Sequence, residues 1–133
     1  MSAFYWVLAV VNVLNGVWMI ADPAGWFTGI PAAVPDTGPF NPHLVRDVGV
    51  TYTVCGIGLA WCAMHLEHAL AVNAGVVAFN VGHAATHVAD IVEGRLPPSH
   101  WLIDTPAVFA PTIAMIVALV ALARRRAPRS STA

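Results

Sequence analysis

Apolar positions along the chain gather into four blocks, at about residues 3–21, 43–65, 69–92 and 105–123. Each is near the roughly 20 residues a helix needs to cross a hydrocarbon core. No period-two alternation competes with them, and backbone polar groups in lipid must pair within their own segment, so all four read as helices. The pattern predicts an all-α fold, a four-transmembrane-helix bundle occupying residues 1–123 as one domain, followed by a basic, disordered tail at 124–133.

Local punctuation agrees with these blocks. In "ADPAGWF", Asp22 is a helix cap and Pro23 a first helical residue, which predicts a short interfacial helix anchored by Trp26 and Phe27. "FNPHLVRD" repeats the device, with Asn41 capping and Pro42 opening the second span. In "IDTPAVF", Asp104 or Thr105 caps ahead of Pro106. Only "HLEH", residues 65–68, separates the second and third blocks, which forces a tight antiparallel hairpin. The longer stretch "TGIPAAVPDTGPFNPH" is Pro-rich and reads either as a lid over one end of the bundle or as a rigid cap on the helix ends, with Asp36 and Thr37 near His43.

Composition strengthens the membrane assignment. Hydrophobic residues make up 58% of the chain and charged residues 10%, against about 25% charged in an average soluble protein; the mean hydropathy is +0.70. The first block has no Lys or Arg ahead of it, so it reads as a retained helix and not a cleaved signal peptide. Four of the six arginines lie in "RRRAPR" near the C-terminus. By the positive-inside rule that end is cytoplasmic, and an even number of spans puts the N-terminus inside too, with Arg46 and Arg95 running mildly against the trend. The expected setting is a multi-pass protein of a bacterial inner membrane, with the bilayer as its first partner and a homo-oligomer or a larger membrane complex as a further one. The arginines are an orientation signal, and no nucleic-acid patch, nucleotide motif or flavin motif is present.

Candidate chemistry sits where it is least expected. With the third helix running outward, His83, His87 and Asp90 fall in its outer half at i, i+4 and i+7, on one face, and Asn80 and Asn73 carry that stripe inward. The second helix brings His43, Arg46 and Asp47 in its first turn and a half. Counting about 1.5 Å per residue from the outer ends places Asp47 and His87 at the same depth, roughly 7–8 Å down. His100 and Asp104 arrive from the connection just above. Ionisable groups at such depth cost a few kcal/mol each and usually pair or line a functional path.

Two readings of the cluster stand side by side. In the first, His83, His87, His43 and Asp47 hold a transition metal (Zn, Fe or Cu), with Asp90, Asp104, His100, Arg46 and Asn80 orienting ligands or moving protons, as in a small membrane metalloenzyme. In the second the protein is a non-enzymatic accessory subunit or transporter component, in which Arg46, Asp47, His87 and Asp90 form a buried ion-pair or proton-relay network. HxxxH alone is a weak signal. Cys55 and Cys62 lie seven residues apart on one helix, about 10 Å along its axis, so they cannot bridge each other and read as packing thiols. His65, Glu67 and His68 read as surface turn chemistry at the inner hairpin.

The stretches "DTGPFNPHLVRDVG" and "HAATHVADIVEGRLPPSHWLID" resemble small bacterial four-helix integral membrane proteins of DoxX-like layout. That resemblance implies an inner-membrane four-helix bundle and carries no established activity. The His83 and His87 pair is also locally similar to the HxxxH of seven-helix membrane metallohydrolases of the ceramidase and adiponectin-receptor kind, which implies zinc with a further ligand from Asp47 or His43. This chain has four spans, so that likeness is one of site chemistry.

Overall fold

The computed structural model describes residues 1–126, and the described residues contain helices and no strands. The elements are α1 (Ser2–Ala21), α2 (Pro23–Gly29), a 3-10 turn (Val34–Thr37), α3 (Pro42–Met64), α4 (Ala69–Val92), α5 (His100–Ile103), a π-helical segment (Thr105–Phe109) and α6 (Ala110–Arg126). α1, α3, α4 and the run His100–Arg125 are each long and apolar enough to cross a membrane. The expected tail therefore begins inside a helix at Arg124–Arg126, and its remainder lies outside the described residues.

Local chemistry sets the boundaries. The Asp22 carboxylate accepts from Gly25 N–H at 2.9 Å and Pro23 opens α2. Asn41 Oδ1 accepts from both His43 and Leu44 N–H at 3.1 Å ahead of α3, satisfying two donors that the first helical turn leaves unpaired. α4 ends in a Schellman arrangement: Arg95 N–H reaches the Asp90 carbonyl at 2.8 Å and Gly94 N–H the Ile91 carbonyl at 3.2 Å. Gly94 takes φ +74°, the left-handed conformation that this closure needs and that a glycine adopts without a Cβ penalty.

One expectation is corrected at the start of the last span. Neither Asp104 nor Thr105 caps a new helix through its side chain. The chain instead enters a π-helical turn, in which both Val108 and Phe109 N–H point at the Asp104 carbonyl (2.8 and 3.2 Å). Pro106 has no N–H to offer the ladder, which favours such an irregular turn. The Asp104 carboxylate is thereby left for other partners.

α1 and α3 are antiparallel and nearly touching. Ser2 Oγ donates to the Ala63 carbonyl at 2.8 Å at one end, and Arg46 Nε reaches the Ile20 carbonyl at 3.4 Å at the other. Between them Gly16 faces Gly49 and Thr53, and Gly56 faces Ala9 and Val13; a Cβ placed on Gly16 would stand 2.5 Å from the Gly49 carbonyl oxygen. Small residues that let two backbones approach are the usual device of helix pairs in lipid. α4 packs on α3 and on α6, and Asn73 Nδ2 ties α4 to the Met115 carbonyl of α6 at 3.4 Å.

The buried apolar cluster of Tyr5, Ala9, Leu59, Cys62, Ala63, Ala69, Val76, Val77, Met115 and Leu122 fills the half of the bundle nearest the chain ends. Outward faces are apolar too: Val7, Val10, Leu14, Val50, Val54, Ile57, Val117 and Val120 are all exposed. So broad an apolar exterior exceeds what a soluble monomer presents.

Candidate functional site

The opposite half of the bundle is polar, and its centre is Asp104. His87 Nδ1 stands 2.7 Å from Asp104 Oδ2. His100, one turn before Asp104, places its own Nδ1 3.1 Å from Oδ1 and 3.2 Å from Oδ2 of the same carboxylate. On its other side, His100 Nε2 is 3.2 Å from Asp36 Oδ2 in the Pro-rich connection. The chain of contacts is therefore Asp36, His100, Asp104, His87.

Burial grades along it. The side chains of His100 and Asp104 are 0% and 2% exposed, that of His87 is 16% exposed, and that of Asp36 is 47% exposed. Past His87, the His83 ring lies edge-on at a centroid distance of 4.7 Å. His83 is stacked on Phe79 (6.1 Å, 8° between planes) and meets Tyr52 of α3 at 6.2 Å. An exposed end, a fully buried middle and a half-buried aromatic end are thus joined by five side chains from three parts of the chain.

The hydrogen-bond inventory constrains the protons. An ionised carboxylate only accepts, while a neutral imidazole has one donor and one acceptor nitrogen. Asp104 accepts from both histidines when each carries its proton on Nδ1. His100 faces a carboxylate at both nitrogens, so either its ring is doubly protonated or one of the two carboxyl groups holds the proton. Each link can accordingly exist in two protonation states without heavy atoms moving.

The structure distributes the remaining candidates elsewhere. His43 and Asp47 pair with each other at 3.3 Å, with side chains 86% and 61% exposed. Their stripe on α3 continues through Val50, Val54 and Ile57, all exposed, while the stripe through Gly49, Thr53 and Gly56 faces α1. Depth matching brought His43 and Asp47 level with His87, but the rotation of α3 about its axis turns them outward. Arg46 leans back to the Ile20 carbonyl, and Asp90 binds Arg95 Nε at 2.7 Å, with Glu93 on the same guanidinium. Arg46, Asp47, His87 and Asp90 thus each have a different partner, and no network joins them. Asn80 bonds the Val76 carbonyl of its own helix at 2.8 Å and sits near Met115 Sδ.

Among the described residues, no three His, Cys, Asp or Glu side chains converge as a ready set of metal ligands. His83 and His87 are adjacent, as their spacing requires, but His43 and Asp47 do not complete them. Asp36 was placed by the sequence near His43 and in the structure meets His100 instead; an acidic residue held in a loop between prolines was the available signal. Cys55 and Cys62 are free. The hairpin between α3 and α4 forms its own exposed group, with Glu67 3.6 Å from His65 Nδ1 and 3.9 Å from His68 Nε2, and Trp61 stacked on His68. A backbone hydrogen bond, reinforced by the two histidines, holds the Glu67 carboxyl below its ordinary range.

Compared with family models, curated proteins and solved structures, the chain matches none.

Proposed function

We propose that this chain is a multi-pass protein of a bacterial inner membrane, with both termini inside, and that it works as a proton-handling accessory or transporter component. The observation that carries the reading is His100, fully buried and held between two carboxylates, one wet and one dry. Buried ionisable groups in a membrane-spanning bundle are costly and typically mark proton or ion paths.

The relay balances as a series of single proton hops. A proton taken up by Asp36 from the outer aqueous side passes to His100 Nε2. His100 gives its Nδ1 proton to Asp104, which gives one to His87 Nδ1. His87, which enters the cycle with its proton on Nε2 and Nδ1 free to accept, then gives the Nε2 proton to the His83 imidazole, the next titratable group along α4. One proton enters at Asp36 and one is delivered to His83, and His100 and His87 return to their starting tautomers by ring flips.

In liposomes carrying an internal pH-sensitive dye, the wild-type protein should collapse an imposed pH gradient. Asp104→Asn and His100→Gln should slow that collapse at least tenfold, while His43→Gln and Asp47→Asn, on the outward stripe, should leave it unchanged. Equal rates for wild type and Asp104→Asn would sink the relay.

A second reading keeps a transition metal, Zn, Fe or Cu, at His83 and His87. Its support is the Asp104 carboxylate on His87 Nδ1, which leaves Nε2 as the ligand atom and fixes its orientation, as second-sphere carboxylates do for metal-bound histidines. Stoichiometric metal that is lost in a His83→Ala, His87→Ala double variant, in a protein that conducts no protons, would favour this reading.

A further inference from the structure

At the end of the bundle away from the relay, α6 carries two shallow apolar hollows side by side. One, of about 370 Å³, is lined by Ile116, Val117, Val120, Ala121 and Arg124. The other, of about 470 Å³, lies between α6 and the start of α1, with Phe4 as a wall, Ala114, Val117, Ala118 and Ala121 as its floor, and Arg125 at its end. They share Val117 and Ala121, and each finishes on an exposed arginine at the same end.

We infer that this face is a binding site for one anionic phospholipid, its two acyl chains in the two hollows and its phosphate between Arg124 and Arg125. Length supports a lipid over a compact apolar ligand. From Ala114 to Arg125 the floor runs about 16 Å at 1.5 Å per residue, which is close to half of the roughly 30 Å hydrocarbon core and so to one leaflet. Charge supports an anionic headgroup: each hollow has an arginine in its lining, guanidinium donors are the kind that bind phosphate, and neither Asp nor Glu lines either hollow. Small side chains at Ala114, Ala118 and Ala121 open the floor that larger ones would fill.

The site rests on the membrane reading and is independent of the relay. The test is native mass spectrometry of detergent-purified protein given phosphatidylglycerol or phosphatidylcholine with identical acyl chains. Wild type should retain one phosphatidylglycerol at least fivefold more than phosphatidylcholine. Arg124→Gln, Arg125→Gln should abolish the preference, and Ala121→Phe, which fills the shared floor, should lower retention of both lipids while the helical circular dichroism is kept. Equal retention of the two lipids by wild type would overturn the site. So would an unchanged Ala121→Phe protein, since the arginines would then act as surface charge alone, or a lipid-free dimer that this substitution disrupts. Absence of the full chain from the membrane fraction of expressing cells would remove the membrane reading itself, a different failure from lipid indifference in extracted protein.

Discussion

His87 and His100 share one acceptor, the Asp104 carboxylate, which His87 approaches from α4 and His100 from the preceding turn of its own segment. Two donors on one buried carboxylate make Asp104 the joint between α4 and the last span. Removing it leaves the His87 imidazole without its partner and His100 with only the half-exposed Asp36 carboxylate.

Asp104→Ala should therefore destabilise the fold strongly. Taking one partner from a buried, hydrogen-bonded charge group typically costs about 3–5 kcal/mol. Asp104→Asn keeps the shape and one acceptor oxygen and should cost less than half as much. Unfolding of the purified protein in mixed micelles by increasing SDS would rank the two, and equal losses would contradict the shared-acceptor geometry.

Asp36 should behave differently because it is half exposed. Asp36→Asn removes the wet carboxylate of the His100 pair yet leaves Asp104 in place, so the stability change should stay within about 1 kcal/mol. Its local effect is on the connection at residues 30–41, which loses a tether to the last span. Limited proteolysis should cut this connection faster in the variant, while the rest of the chain stays protected.

The helices and their caps were legible in the sequence because hydropathy, Asp22 with Pro23 and Asn41 with Pro42 all act within a few residues. His83 and His87 were legible as neighbours for the same reason. Partner choice was not, because it depends on how each helix is rotated about its axis. That rotation had a readable signal on α3, where Gly49, Thr53 and Gly56 lie at i, i+4 and i+7 and seat the helix on α1. The stripe of His43, Asp47, Val50 and Val54 is consequently turned to the outside. Asp104 was misread as a cap because the π turn after it depends on how Pro106 is accommodated, which spacing alone does not reveal.

The same glycine contact gives a prediction of its own. Gly16→Ala puts a methyl group 2.4 Å from Thr53 Oγ1 and 2.5 Å from the Gly49 carbonyl oxygen. The carbonyl cannot swing aside, so the backbones must separate, at a cost of about 1–3 kcal/mol for an overpacked contact. Gly75→Ala, where an added Cβ meets nothing within 4 Å, should be neutral or stabilising by the helix propensity gained, about 1 kcal/mol at most. A pair of unfolding curves decides it, and similar losses for both variants would mean that α1 and α3 do not approach closely.

Tyr5 supplies the opposite case, a polar atom whose removal should help. Its ring is fully buried in the apolar half, and its hydroxyl has no hydrogen-bond partner among the described residues. A buried donor left unpaired carries a desolvation penalty of about 1–3 kcal/mol, whereas a phenylalanine of the same outline carries none. Tyr5→Phe should accordingly leave the bundle as stable as before or more so, by about 1 kcal/mol. The comparison is informative because Phe keeps the ring contacts with Phe4 and changes only the oxygen. A clear loss of stability in Tyr5→Phe would mean that the hydroxyl has found a partner in the folded protein, most simply a water held between α1 and its neighbours, and would place a hydrated spot inside the apolar half of the bundle.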